Sequence, residues 1–275
     1  MIIDRLPGRA RRAARSPEVA QLARNAVRVH EIARHYLHAV APTPSIGGAL
    51  RAYPRYLRER RRYAEISGEA LDRYEDNPQL LDWSPTSPFD PHYTYQDAWA
   101  ARAVAALAPE RHVDVGSRVS FATGLSAFVP VTFIDLRPLE VTLAGLECRE
   151  GSLLDLPFGD GAVASLSCLH VAEHVGLGRY GDPLDPMGTR RAAGELARVL
   201  APDGQLLFGL PVGRPRTNFN AHRVHDPREV VELFAGLTLA SFAAVDDSGR
   251  FHPEARPGDL VGADWGCGLY RFTRA

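Results

Sequence analysis

The chain has 275 residues and a formal net charge of −1, and 45% of it is hydrophobic, which supplies a sizeable core and argues against general disorder. All 32 basic side chains are Arg, because the sequence contains no Lys, and this excludes Schiff-base catalysis and the lysine of a phosphate-binding P-loop. No apolar run approaches the roughly 18 residues of a membrane span and the Arg-studded start lacks the apolar centre of a signal peptide, so a cytoplasmic protein is expected.

Charge is unevenly spread. Residues 1–62 hold 14 Arg against 4 acids, whereas residues 63–275 hold 18 Arg against 29 acids. Such an arm suits a peripheral contact with an anionic surface, or simply a solvated helical face. Aromatic residues are not interleaved with the arginines, so no nucleic-acid partner is expected. A homodimer or a partner enzyme stays open. Cys148, Cys168 and Cys267 form no CxxC pair and are read as reduced, buried thiols.

Taken in order, Ser16-Pro-Glu is an N-cap with a first-turn proline, and helical spacing then runs to Val40. A second Arg-rich helix is predicted over Leu50–Tyr74, followed by a Pro-rich, irregular piece from Asn77 to Pro91. We therefore divide the chain into a helical extension with its linker, 1–91, and a main domain, 92–275. In the main domain, helical patterns at 97–107, 124–128, 186–200 and 226–234 alternate with strand patterns at 112–115, 131–136, 146–149, 163–169, 205–210, 237–245 and 268–273. Alternation of this kind predicts an α/β fold with a doubly wound, mostly parallel, seven-stranded sheet.

In such sheets ligands sit beyond the carboxyl ends of the strands. The first strand ends in Val113-Asp114-Val115-Gly116-Ser117-Arg118 and the second in Phe133-Ile134-Asp135-Leu136, an arrangement suited to a nucleoside. Asp135 is the candidate for the ribose hydroxyls, its plain alternative being a loop or cap acid. The fourth strand runs into His170-Val-Ala-Glu173-His174-Val-Gly-Leu-Gly-Arg-Tyr180-Gly-Asp182. His170, His174, His222 and His225 are candidate bases, since histidine titrates near neutrality. His174 is the first choice, with Glu173 or Asp182 to orient its ring. His222 and Arg223 could hold an anionic or sugar-like substrate, although a structural Arg fits equally. His170 to His174 also satisfies H-x-x-E-H, but Gly176 and Gly178 would cut short a zinc-peptidase helix, and no metal is expected.

From Asp97 onward the chain resembles the class I S-adenosylmethionine-dependent methyltransferases. The resemblance rests on the ordered set Ser152–Asp160, Ser165–His170, Ala172–Val175 and Glu195–Gly213. More narrowly, His92–Asp97, Phe133–Pro138, His170–Asp182 and Phe219–Arg223 resemble a bacterial domain-of-unknown-function family, number 268. The resemblance implies a Rossmann-like methyltransferase fold and S-adenosylmethionine as cofactor. It implies methyl transfer to a small-molecule or glycan acceptor, with Asp114, Gly116, Ser117, Arg118, Asp135, Leu136, Ser152, Leu153 and His170 at the cofactor. Glu173, His174 and His222 would serve catalysis, and Tyr180, Asp182 and Arg223 the acceptor. The chain departs from the family's glycine motif, since only Gly116 survives before Ser117-Arg118-Val119-Ser120. Arg118 is thus either a clamp for the cofactor carboxylate or an occluding side chain. That departure keeps a second expectation alive: an inactive, methyltransferase-shaped scaffold acting with a partner enzyme.

Overall fold

The computed structural model describes residues 46–275 apart from Pro138. The helix expected from Ser16 to Val40 lies outside the described residues. The described residues fall into two units, one ending at Pro88 and the other Phe89–Ala275. In the first, helix α1 (Ile46–Ser67) ends seven residues before the expected Tyr74, at Gly68, whose φ of +72° breaks helical geometry. Arg60 on α1 pairs with Asp76 at 2.7 Å and donates to the Leu71 carbonyl, which folds the following segment back on the helix.

The second unit opens with α2 (Pro91–Leu107). Asp90 accepts from the Tyr93 amide and Pro91 takes the first turn. Its buried residues, His92, Gln96, Ala100 and Val104, recur every fourth position and form one stripe. Beyond it lie β1 (His112–Val115), α3 (Val119–Leu125), β2 (Val131–Asp135), β3 (Leu146–Glu150) and β4 (Val163–Leu169). Then come α4 (Gly188–Val199), β5 (Leu200–Val212), β6 (Arg216–Asn218), β7 (His222–Val224) and α5 (Pro227–Leu233). The chain closes with β8 (Thr238–Val245), β9 (Phe251–His252), a 3-10 turn at Pro257–Leu260, and β10 (Gly266–Thr273).

The main sheet has eight strands in the order β3-β2-β1-β4-β5-β10-β8-β9, and a separate hairpin joins β6 to β7. This corrects the expected seven-stranded sheet. β1 to β5 are parallel neighbours, whereas β10 runs antiparallel to both β5 and β8, and β9 antiparallel to β8. The chain from β8 to β10 carries only the two-residue β9 and the short 3-10 turn, too little for the crossover a parallel partner needs.

Two larger clusters cover the faces, beside a smaller one at Ala243, Val245, Cys267 and Leu269. One packs α4 residues Ala192, Leu196 and Val199 with Leu166, Phe208 and Tyr270, and the other packs Ala100, Val104, Phe121 and Leu125 with Phe133 and Leu207. Strand order reverses between β1 and β4, so the crevice expected for a ligand opens where Gly116 leaves β1 and His170 leaves β4.

Candidate functional site

Beneath the crevice lies a buried polar chain. The two ring nitrogens of His112 are each 2.8 Å from a hydroxyl, Ser165 and Ser167, and Ser167 donates to the Asp114 carboxylate. The other Asp114 oxygen accepts from the Ser117 amide at 3.1 Å, and the Ser117 hydroxyl accepts from the Leu169 amide at 3.1 Å. These bonds lock the turn after β1 to the end of β4. Burial pushes the Asp114 carboxyl up to about 7 despite them. Asp114 lines neither cavity described below, so its place is under the turn rather than against a ligand.

Gly116 has φ +68°, and a Cβ there would meet the Val171 side chain at 3.0 Å and lie 3.8 Å from Oδ2 of Asp135. In front of it opens a cleft of about 250 Å³ lined by Gly116, Asp135, Leu136, Ser152, Leu153, His170, His174, Tyr180 and Asp182, among others. One Asp135 oxygen accepts from the Arg137 amide at 2.8 Å, and the other takes no hydrogen bond among the described residues. The cofactor named by the resemblance fits this cradle: a glycine where a Cβ would crowd the floor, and a carboxylate oxygen left for a hydroxyl. Ser152 uses its hydroxyl to accept from the Leu154 amide, which shapes the far wall.

A second cavity, of about 240 Å³, shares Gly116, His170, His174 and Tyr180 with the cleft and adds Tyr93, Ser117, Arg118, Glu173, Arg179, His222 and Trp265. Arg118 stays out of the first cleft, its guanidinium 4.7 Å over the Tyr93 ring. The Nδ1 of His174 lies 2.6 Å from the Ala221 carbonyl, which accepts its proton and leaves Nε2 with the lone pair. Arg179 donates to the same carbonyl at 3.0 Å. Burial, helped by Arg179, lowers His174 to about 4, whereas burial lifts Glu173 to about 8. Glu173 Oε1 sits 3.8 Å from His174 Nε2, and its Oε2 is buried without a partner. Nε2 of His222 is 2.8 Å from the Asn218 amide nitrogen, so that ring is already engaged.

Two expected acceptor residues are occupied elsewhere. Arg223 is buried and lines neither cavity; it donates to the carbonyls of Val175 at 2.6 Å and Asp185 at 3.0 Å, fastening the loop after β4. Asp182 accepts from the amides of Gly176 and Tyr180, folding the same loop, although it also borders the cleft. His225 lies away from both cavities, partly buried beside Arg223. Residues 171–180 form turns rather than a helix, which removes the H-x-x-E-H zinc-peptidase geometry. Sequence reasoning missed Tyr93, Arg137, Arg179 and Trp265 as lining residues. Arg137 and Arg179 lie inside segments singled out for neighbouring residues, whereas Trp265 reaches the site from a distant loop and carried no local signal.

A family model described as a Caenorhabditis protein of unknown function, DUF268, matches residues 157–251, so the expected family number appears without the expected bacterial description. No curated protein matches the chain. Among solved structures, the chain is similar to a candidate sarcosine dimethylglycine methyltransferase from Galdieria sulphuraria (15% identity, 78% of this chain and 97% of that one, TM-score 0.50). It is also similar to the (4+2) cyclase SpnF (14% identity, 77% and 91%, TM-score 0.50). A third similar structure is the N-methyltransferase NodS from Bradyrhizobium japonicum WM9 with S-adenosylhomocysteine (17% identity, 77% and 97%, TM-score 0.49). At these identities the likeness concerns the fold alone, and Phe89–Ala275 has a Rossmann-like methyltransferase fold with a mixed, eight-stranded sheet.

Proposed function

We propose that the chain transfers a methyl group from S-adenosylmethionine to a small-molecule or glycan acceptor. One observation carries this reading: the cleft bounded by Gly116, Asp135 and Ser152 and the cavity bounded by Glu173, His222 and Trp265 meet at His170, His174 and Tyr180. Asp135 would accept from the ribose hydroxyls, Ser152 and Leu153 would border the adenine, and Arg118 would pair with the methionine carboxylate. His174, with its Nε2 lone pair, would take the acceptor's proton. Bound S-adenosylmethionine supplies the electrophilic methyl group. The protein's part is to align the acceptor and exclude water, which the aromatic rings of Tyr93, Tyr180 and Trp265 are suited to do. A cavity of about 240 Å³ suits a small molecule or one sugar unit of a glycan. No described helix is long and apolar enough to cross a membrane.

A binding protein without catalysis is the second reading, favoured by the turn after β1, which keeps Gly116 alone and spends Ser117 on the Leu169 amide. Calorimetry with S-adenosylmethionine and S-adenosylhomocysteine separates the two. Micromolar binding to the wild type and its loss in Asp135→Ala support the methyltransferase. Folded wild-type protein that binds neither ligand leaves the binding protein.

A further inference from the structure

His170 leaves β4 with φ +57° and forms part of the wall shared by the two cavities. Its Nδ1 lies 2.5 Å from Oε1 of Gln96. The Gln96 amide is oriented by its NH2 group, which donates to Asp97 at 3.3 Å, so Oε1 is the atom turned to the imidazole. Nδ1 therefore carries the ring proton and Nε2 the lone pair. That Nε2 is buried and has no partner.

His92, on the first turn of α2, and Cys267, on β10, complete a cluster with it. One donor atom from each of His92, His170 and Cys267 lies within 4.8 Å of the other two. His92 is 8% exposed and Cys267 is fully buried. The His92 ring stacks on Trp265 with centroids 5.8 Å apart and planes at 14°, so its orientation is set by packing. Three separate elements thus bring two imidazoles and a thiol to one point, and the Gln96 amide oxygen fixes the tautomer of the His170 ring.

We propose that His92, His170 and Cys267 bind a zinc ion. Two imidazoles and a thiolate are a borderline-soft donor set that suits Zn²⁺ and disfavours Mg²⁺ or Ca²⁺, which take oxygen ligands. Binding replaces the Cys267 S–H bond with an S–Zn bond and releases one proton to solvent. Three protein ligands leave a fourth position for water or a ligand donor, the pattern of a reactive rather than a purely structural zinc. The Gln96 contact to His170 is the outer-shell bond that holds such a ligand in the right tautomer. His170 also borders the cofactor cleft, whereas His92 and Cys267 line neither cavity, so two of the three ligands stand outside the cofactor reading.

The test uses full-length protein purified without a metal-affinity tag. Metal content is measured by plasma mass spectrometry, and zinc affinity by competition with a chromophoric chelator. Cobalt-loaded protein is examined for thiolate-to-metal charge transfer. About one zinc per chain is expected, with a charge-transfer band that Cys267→Ser abolishes. Gln96→Leu, which leaves all three ligands in place, should weaken zinc about 10- to 100-fold. A folded wild type that takes up no zinc at micromolar concentration overturns the site, as does Cys267→Ser with unchanged zinc affinity. The first of these outcomes would leave His170 Nε2 as an acceptor for a ligand's N–H or O–H. Calorimetry with S-adenosylhomocysteine on the same preparations reads the cofactor site separately, so either proposal can fail while the other stands.

Discussion

At pH 7 the His174 ring is neutral and Glu173 protonated, because burial holds the first at about 4 and the second at about 8. A neutral imidazole with its free nitrogen toward the cavity is the form a general base requires, and the protonated carboxyl beside it can donate but not compete for the proton. His174→Asn should therefore lower kcat about 10²- to 10⁴-fold while S-adenosylhomocysteine still binds, as steady-state rates and calorimetry would report. Equal losses of both would move His174 from chemistry to shaping the wall. Gly116 offers a residue-scale test of the cradle. Alanine there combines a positive φ with a 3.0 Å approach to Val171, a strain of about 1–2 kcal/mol. The expected result is a lowered melting temperature together with weakened S-adenosylhomocysteine binding.

Among the elements, the loop from Val175 to Asp185 depends on a side chain that sequence reasoning offered as a substrate contact or a structural group. Arg223 on β7 satisfies two of its carbonyls, and Gly176 lets the backbone of Asp185 pass where a Cβ would stand 2.1 Å from the carbonyl oxygen. Arg223→Ala should cost about 1–3 kcal/mol by leaving buried carbonyls unpaired. Hydrogen exchange should rise selectively over residues 175–185, and unchanged protection there would refute the fastening role. The structural half of that expectation became visible only with β6 and β7, which the sequence reading had taken as a plain loop. Element types were otherwise readable where periodicity was strong: Val163–Leu169 and His112–Val115 have the predicted bounds. α2 begins six residues before the predicted Asp97, because the polar, aromatic run His92–Gln96 hid a helix whose Asp90-Pro91 start was nonetheless a capping signal. Strand direction was illegible in β10, since residues within a strand do not record which neighbour they pair with. For the same reason the turn acids Asp135 and Asp114 looked alike in sequence, and only burial separates the cleft residue from the buried anchor.

For the whole molecule in its metal-free form, the buried titratable groups impose a pH optimum of stability. Burial lowers His112 and His170 to about 3 and His174 and His225 to about 4. The unfolded chain binds their protons below about 6.5 and the folded chain does not, so their contribution is complete above that pH and is lost as pH falls. Asp114 and Glu173 act in the opposite sense. Raised to about 7 and about 8, they keep protons in the folded state that the unfolded state has released above about 4. Their contribution is therefore complete in acid and is lost as pH rises through 7 and 8. Between about pH 4 and 6.5 the four histidines outweigh the two acids and stability climbs; above about 6.5 only the acids remain and it declines. Denaturant unfolding across this range should show a maximum near about pH 6.5. Asp114→Asn, which keeps an acceptor for the Ser117 amide, should reduce the decline on the alkaline side by about a third and steepen the climb on the acid side. A wild type equally stable at pH 6.5 and 8.5 would mean that these carboxyls reach solvent, and that the buried chain from His112 to Ser117 does not hold the turn after β1.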